Sequence, residues 1–213
     1  MTVIVNPPPA GPAPRRTQEQ RSAATQLQLL EATFDCLVEL GYARTSTPEV
    51  LRRTGISRGA LLHHFPTRAD LVCAAVDYVF QRQLREYGKA FAGIALDDVT
   101  PAAAIELLWK MLSGNSFYAW LELVVAARTD AVLLEKVQEV DRRFDEAAAA
   151  LHRSLFPGAS GVTDGPSALS RRFTFATLSG LAVANIYRSE EVARSVVGPL
   201  QTLVPRFDEF LEP

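Results

Sequence analysis

The chain has 213 residues, 48% of them apolar, two cysteines, a formal net charge of −2 and a mean hydropathy of +0.06. No run approaches the ~20 apolar residues that a membrane span needs, and the charge is not that of a protein that coats nucleic acid. The opening MTVIVNPPPAGPAPRR has no basic segment leading into an apolar one, so no secretory signal is read there and a cytoplasmic protein is expected.

Residues 1–16 are rich in proline and alanine and carry no periodic apolar face, which predicts a disordered tail. Arg15 and Arg16 suit either a minor-groove arm or a solvated tail. The tail is favoured because two arginines alone bring little phosphate binding. A first helix is predicted from about 18 to 40, with Leu27, Leu30, Phe34, Leu37 and Val38 at helical spacing over the next two helices and Gly41 as its stop.

Residues 45–68, TSTPEVLRRTGISRGALLHHFPTR, read as two short helices joined by a tight turn. Ser46 caps the first, Glu49 completes a capping box, and Pro48 fits the first turn, where its missing N–H has no helical partner. Val50 and Leu51 face inward until Gly55. Ser57 caps the second helix, in which Leu61 and Phe65 fall four apart on one side. Arg58, Gly59 and Ala60 at its start, and His63 below them, lie on the other.

This is the pattern of a helix-turn-helix, whose second helix enters a major groove N-terminus first. Arg58 suits bidentate pairing with guanine O6 and N7. The hydroxyls of Thr45, Ser46 and Thr47, with Thr67 and Arg68, suit phosphates, which set register without reading sequence. The candidate DNA contacts are Thr45, Ser46, Thr47, Ser57, Arg58, Gly59, Ala60, His63, Thr67 and Arg68. Residues 15–68 hold eight arginines against five acids, a mildly basic head on an acidic body.

Thr67, with Asp70 at N3, opens a long fourth helix read through Leu71, Ala74, Ala75, Tyr78, Val79 and Leu84 toward Phe91. Its roughly 25 residues, at 1.5 Å each, span nearly 40 Å and join head to body. Asp97-Asp98-Val99 breaks the pattern, and Thr100-Pro101 starts a helix to about Ser113. After Gly114-Asn115, the stretch SFYAWLELVVAART is apolar nearly all round and is expected at the centre. Thr129 or Asp130 opens a long helix with Leu133, Leu134, Val137, Val140, Phe144, Ala148 and Leu151 on one side. Residues 157–167 read as a loop, followed by helices over about 167–188 and 189–211. The expected fold is all-α with about nine helices: a tail at 1–16, a three-helix head at 17–66, and a body at 67–213 entered through the fourth helix.

Residues of roughly 22 to 72 resemble the DNA-binding domain of TetR-family transcriptional regulators. The matching parts are LVELGYARTS, TPEVLRRTGIS, RGALLHHF and PTRADL. Leu51 stands where the family usually has a small residue, Pro48 where it has an arginine or similar, and Leu62 where it has a tyrosine; His63 can supply part of the phosphate contact that Leu62 gives up. The resemblance implies a body that binds a small-molecule effector and dimerises. A palindromic operator would be held by a dimer, most simply as a repressor, and released by the effector. The competing reading is a ligand-independent DNA-binding or interaction protein with a filled body.

Large apolar side chains offer a ligand site at Tyr78, Trp109, Phe117, Trp120, Leu121, Val124 and Phe173, with Arg128 to orient a polar group. The same pattern equally describes a filled core. Glu122 and Arg128 are the charged members of the central helix, and an ion pair with Arg142, Asp141 or a neighbouring helix is the simpler role for them. Small residues at Thr177, Ser179, Gly180, Ala182 and Ala184, and apolar ones at Val192, Val196, Leu200, Leu203 and Phe207, suit a dimer of four helices. Its twofold axis would match half-sites about 34–36 Å apart.

Cys36 and Cys73 sit inside apolar helical patterns and read as core. Adjacent His63 and His64 point about 100° apart and cannot chelate one metal well. No HExxH, GxSxG or CxxC occurs, so no enzyme, metal site or cofactor is expected.

Overall fold

Local capping chemistry delimits the helices. In the computed structural model, which describes residues 17–92, 100–155, 166–204 and 206, helix α1 spans Gln18–Leu40. Thr17 Oγ1 accepts the Gln20 N–H at 3.2 Å, and the Gln20 side chain returns to the Thr17 N–H at 3.0 Å. Gly41, at φ +77°, ends α1 and leads into a 3-10 turn, Tyr42–Arg44. Helix α2, Thr47–Thr54, is capped by Ser46 and stopped by Gly55 in the left-handed region at φ +68°. Helix α3, Arg58–His64, starts from Ser57, whose Oγ accepts the Ala60 N–H at 3.2 Å.

Helix α4, Arg68–Ala92, begins on a reciprocal Thr67–Asp70 box. Thr100 caps α5, Pro101–Leu112, which is followed by α6, Asn115–Ala127. Asp130 accepts the Leu133 N–H at the start of α7, Ala131–Leu155. Helices α8, Pro166–Asn185, and α9, Glu190–Leu203, follow. Among the described residues there are nine α-helices and no strand, so the fold is all-α as expected. The tail expected at 1–16, the break expected at Asp97-Asp98-Val99, most of the 157–167 loop, and Phe207 lie outside the described residues. No helix among those described is long and apolar enough to cross a membrane.

One predicted capping box forms only by half. Ser46 accepts the Glu49 N–H, but the Glu49 carboxylate turns to Arg52 and Arg53 at 2.7–2.9 Å. Arg53 also reaches Glu39, tying α2 to α1. Hydrogen bonds from Arg52 and then Arg53 hold the Glu49 carboxyl down at about 2. A depressed carboxylate contributes stability that is present above its ordinary value of 4.5 and is lost as pH falls through about 2. Wild-type protein is therefore expected to lose more stability than Glu49→Gln between those two pH values. Thermal melts of the two at a series of acid pH values check this, and parallel curves would refute it.

Three apolar clusters hold the helices together. Leu29, Cys36, Val50, Leu61, Phe65 and Leu71 form the head core, with Leu51 packed against it. The largest cluster joins α1, α4, α6 and α7 through Phe34, Leu37, Val76, Val79, Leu123 and Val140. A third joins α5, α6, α8 and α9 through Trp109, Phe117, Leu178 and Val197.

The sequence expectation for α1 needs correcting here. Phe34 and Leu37 pack into the body rather than over the motif helices, and Leu27 is exposed. Helices α1 and α4 thus each contribute to both head and body cores. Two further inward assignments fail: Leu134 on α7 is exposed, and so are Val124 and Val125 on the supposedly central α6.

Candidate nucleic-acid interface

Helix α3 is anchored by one face and open on the other. Leu61 and Phe65 are buried in the head core, while Arg58, Gly59, Leu62 and His63 are exposed and Ala60 is half-buried. No hydrogen-bond or ion-pair partner engages Arg58 among the described residues. A Cβ placed on Gly59 would meet no protein atom within 4 Å. Ser46 and Thr47, at the first turn of α2, are half-buried.

The other predicted phosphate contacts are placed differently. Thr45 is buried, 2% exposed, and its hydroxyl donates to the Gly41 carbonyl at 2.8 Å. It locks the turn that precedes α2 and does not reach the surface. The Thr67 hydroxyl donates to Asp70 Oδ2 at 2.8 Å and accepts the Asp70 N–H at 3.1 Å, so its proton is committed to the α4 cap.

Arg68 is a strut rather than a free cation. Its Nε donates to the Thr45 carbonyl, Nη2 to the Tyr42 carbonyl and Nη1 to the Tyr42 hydroxyl, each at 3.1 Å. Its guanidinium also lies 4.5 Å from the centroid of the Tyr42 ring. Sequence reasoning missed Tyr42, whose place in the turn gives no periodic signal.

The family model described as "Bacterial regulatory proteins, tetR family" matches residues 29–75, from the middle of α1 into the start of α4. An uncharacterized HTH-type transcriptional regulator of Mycobacterium tuberculosis is 34% identical over 182 residues, which is 85% of this chain and 88% of the relative. The chain belongs to the TetR family. It is therefore a DNA-binding transcriptional regulator, not an enzyme.

Solved structures share the fold. A transcriptional regulator from Rhodococcus sp. Rha1 superposes with a TM-score of 0.66 at 22% identity, covering 86% of this chain and 95% of that one. The multidrug binding protein EbrR, complexed with imidazole, does so at 0.60 and 20% identity, covering 88% and 96%.

In the body of this TetR-family chain, the predicted ligand residues do not converge. Trp109 and Phe117 are buried in the α5–α6–α8–α9 cluster, whereas Tyr78 and Trp120 pack against the α1–α4–α6–α7 cluster. Leu121 lines a surface groove, Val124 and Arg128 are exposed, and Phe173 lies exposed on α8. The apolar stripes fill helix–helix contacts, as aromatic residues at helical spacing commonly do.

A different cleft of about 560 Å³ opens between α4, α5, α7 and α8, and it contains none of those residues. Leu108, Phe144 and Phe175 wall it, with Phe144 and Phe175 ring centroids 5.4 Å apart. Arg171 and Asp145 form a hydrogen-bonded ion pair at its edge, and Arg142 pairs with Glu146 at 3.3 Å. The Arg171 hydrogen bond holds the Asp145 carboxyl below its ordinary range. Tyr87 also lines the cleft, and burial pushes its phenol up to about 12.

Cys36 is buried in the head core, whereas Cys73, also expected in the core, is only half-buried on α4; burial raises both thiol pKa values above the ordinary range. On the far side, Leu169, Phe173, Val192, Val196 and Leu203 leave α8 and α9 with an exposed apolar face. Leu200 and Ala182, expected on that face, are buried within the chain.

Proposed function

We propose that this TetR-family regulator is a ligand-responsive repressor: a homodimer that grips a palindromic operator through two copies of α3 and releases it when a small molecule occupies the body. The observation that carries the DNA half of this reading is Arg58, exposed at the leading end of α3 with no protein partner among the described residues. A guanidinium left unpaired there is available for a guanine edge. The proposed contacts are Ser46, Thr47, Ser57, Arg58, Gly59, Ala60 and His63. A chromosomal operator places the protein in the cytoplasm.

The dimer half of the reading rests on the exposed apolar face of α8 and α9. Large contiguous apolar surface is unusual on a monomer, and a twofold partner would cover it. The effector half rests on the cleft, whose 560 Å³ exceeds the ~300 Å³ lower end of small-molecule sites. EbrR, similar in fold, holds imidazole. Aromatic walls with paired charges at the edge suit a flat, amphipathic organic molecule.

Selection of bound duplexes from random DNA tests the proposal. A twofold-symmetric consensus should emerge, and its absence would remove the operator reading. Gly59 offers a second test. A glycine inside a helix costs about 0.5–1 kcal/mol relative to alanine, and no neighbouring protein atom requires one there. Gly59→Ala should therefore raise the melting temperature while weakening binding to the selected duplex, because the added methyl occupies the space nearest the base edges. Unchanged or tighter binding would show that α3 does not approach DNA at Gly59.

A further inference from the structure

Glu122 is the single charged residue of α6, and among the described residues it forms no ion pair. Its Oε2 instead accepts the backbone N–H of Tyr42 at 2.7 Å, across 80 residues of sequence. That N–H opens the 3-10 turn and has no backbone acceptor there. The turn is shaped for this contact. A Cβ on Gly41 would stand 3.0 Å from Glu122 Oε2, and Gly41 holds φ +77°, a conformation that side chains rarely adopt.

The chain of contacts continues beyond Tyr42. The Tyr42 carbonyl and hydroxyl hold Arg68, the first residue of α4, and Arg68 holds the Thr45 carbonyl, one residue before the cap of α2. One carboxylate on a body helix therefore reaches, through a single tyrosine and a single arginine, the starts of both α2 and α4.

We infer that Glu122 is a positioning residue for operator binding: through Tyr42 and Arg68 it sets how the helix-turn-helix sits on the body. The inference rests on the proposed operator reading. Helix α6 also packs on α4 and α7 in the central cluster, two of the helices that border the cleft, so a shift of α6 would be felt at Tyr42. The bond is also specific in its chemistry, because it needs an acceptor oxygen at that point and not a negative charge.

The test uses the full chain as wild type, Glu122→Gln, Glu122→Ala, Arg68→Ala and the double alanine variant. Hydrogen exchange at the Tyr42 amide is measured without DNA, and affinity is measured for the selected palindrome and for an unrelated duplex. Glu122→Gln keeps an acceptor oxygen, so it should match wild type within about twofold, whereas Glu122→Ala should speed Tyr42 exchange and weaken the palindrome about tenfold, the scale of leaving one N–H without its acceptor. Binding to the unrelated duplex should not change, and the double variant should be no weaker than the weaker single, as for two residues of one network.

If Glu122→Ala does not fold, Arg68→Ala carries the test from the exposed end of the network. Equal loss on both duplexes would make Arg68 a phosphate contact and overturn the inference, as would additive losses. A palindrome bound equally by wild type and Glu122→Ala overturns this inference alone. No palindrome for wild type overturns the operator reading beneath it.

Discussion

Arg58→Ala should lose its base preference at one position in each half-site while keeping its fold and its dimer. A bidentate arginine–guanine pair discriminates by about 1–3 kcal/mol, and a twofold complex makes it twice, so the palindrome should weaken by at least roughly thirtyfold. Stability should hardly move, because the side chain is exposed and makes no hydrogen bond or ion pair among the described residues. Repeating the duplex selection with the variant is the decisive measurement. The consensus should persist with one column per half-site flattened. Uniform weakening across all sequences, with the consensus intact, would assign Arg58 to phosphate instead.

The second large effect should come from the α8–α9 face. Phe173→Glu combined with Val196→Glu adds four carboxylates to a dimer interface built from these helices, in surroundings that expel water. Both residues are already solvent-exposed in the single chain, at 38% each, so the monomer's own core is not the target. A monomer carries only one head, and without the second its operator affinity should fall by about 10²-fold or more through lost effective concentration. Light scattering should show the variant at half the wild-type mass with its helical signal intact. A variant that remains a dimer would move the interface elsewhere on the surface.

Much of the DNA-binding head was legible because its signals are local. Ser57 caps α3 through an N–H three residues on, Gly55 ends α2 in a backbone conformation that glycine adopts freely, and Thr67 with Asp70 begins α4. Each depends on atoms within one helical turn, so residue type and spacing suffice. The outward face of α3 follows in the same way, since Leu61 and Phe65 identify the buried side and leave Arg58 on the other. The limits of local reading show at Thr45 and Arg68. Both are polar residues flanking the motif, yet each is engaged by the turn at residues 41–45.

In the body, periodicity identified apolar stripes but not what faces them. Phe34 proved to belong to the body core, Trp109 and Phe117 to a different cluster from Tyr78 and Trp120, and the cleft to residues of α4, α5, α7 and α8, among which Phe144 and Ala148 belong to the α7 stripe. Glu122 illustrates the same limit, since an unpaired carboxylate in an apolar helix announces only that it needs a partner. From sequence alone came the all-α architecture, the family and the exposed face of α3, because hydrogen bonds within a helix and its caps link residues at most a few positions apart. Only tertiary packing decided which stripes became core, where a cavity remained, and that the carboxylate of α6 would close on a backbone amide of the head, because such contacts depend on where helices cross rather than on the order of residues within any one of them.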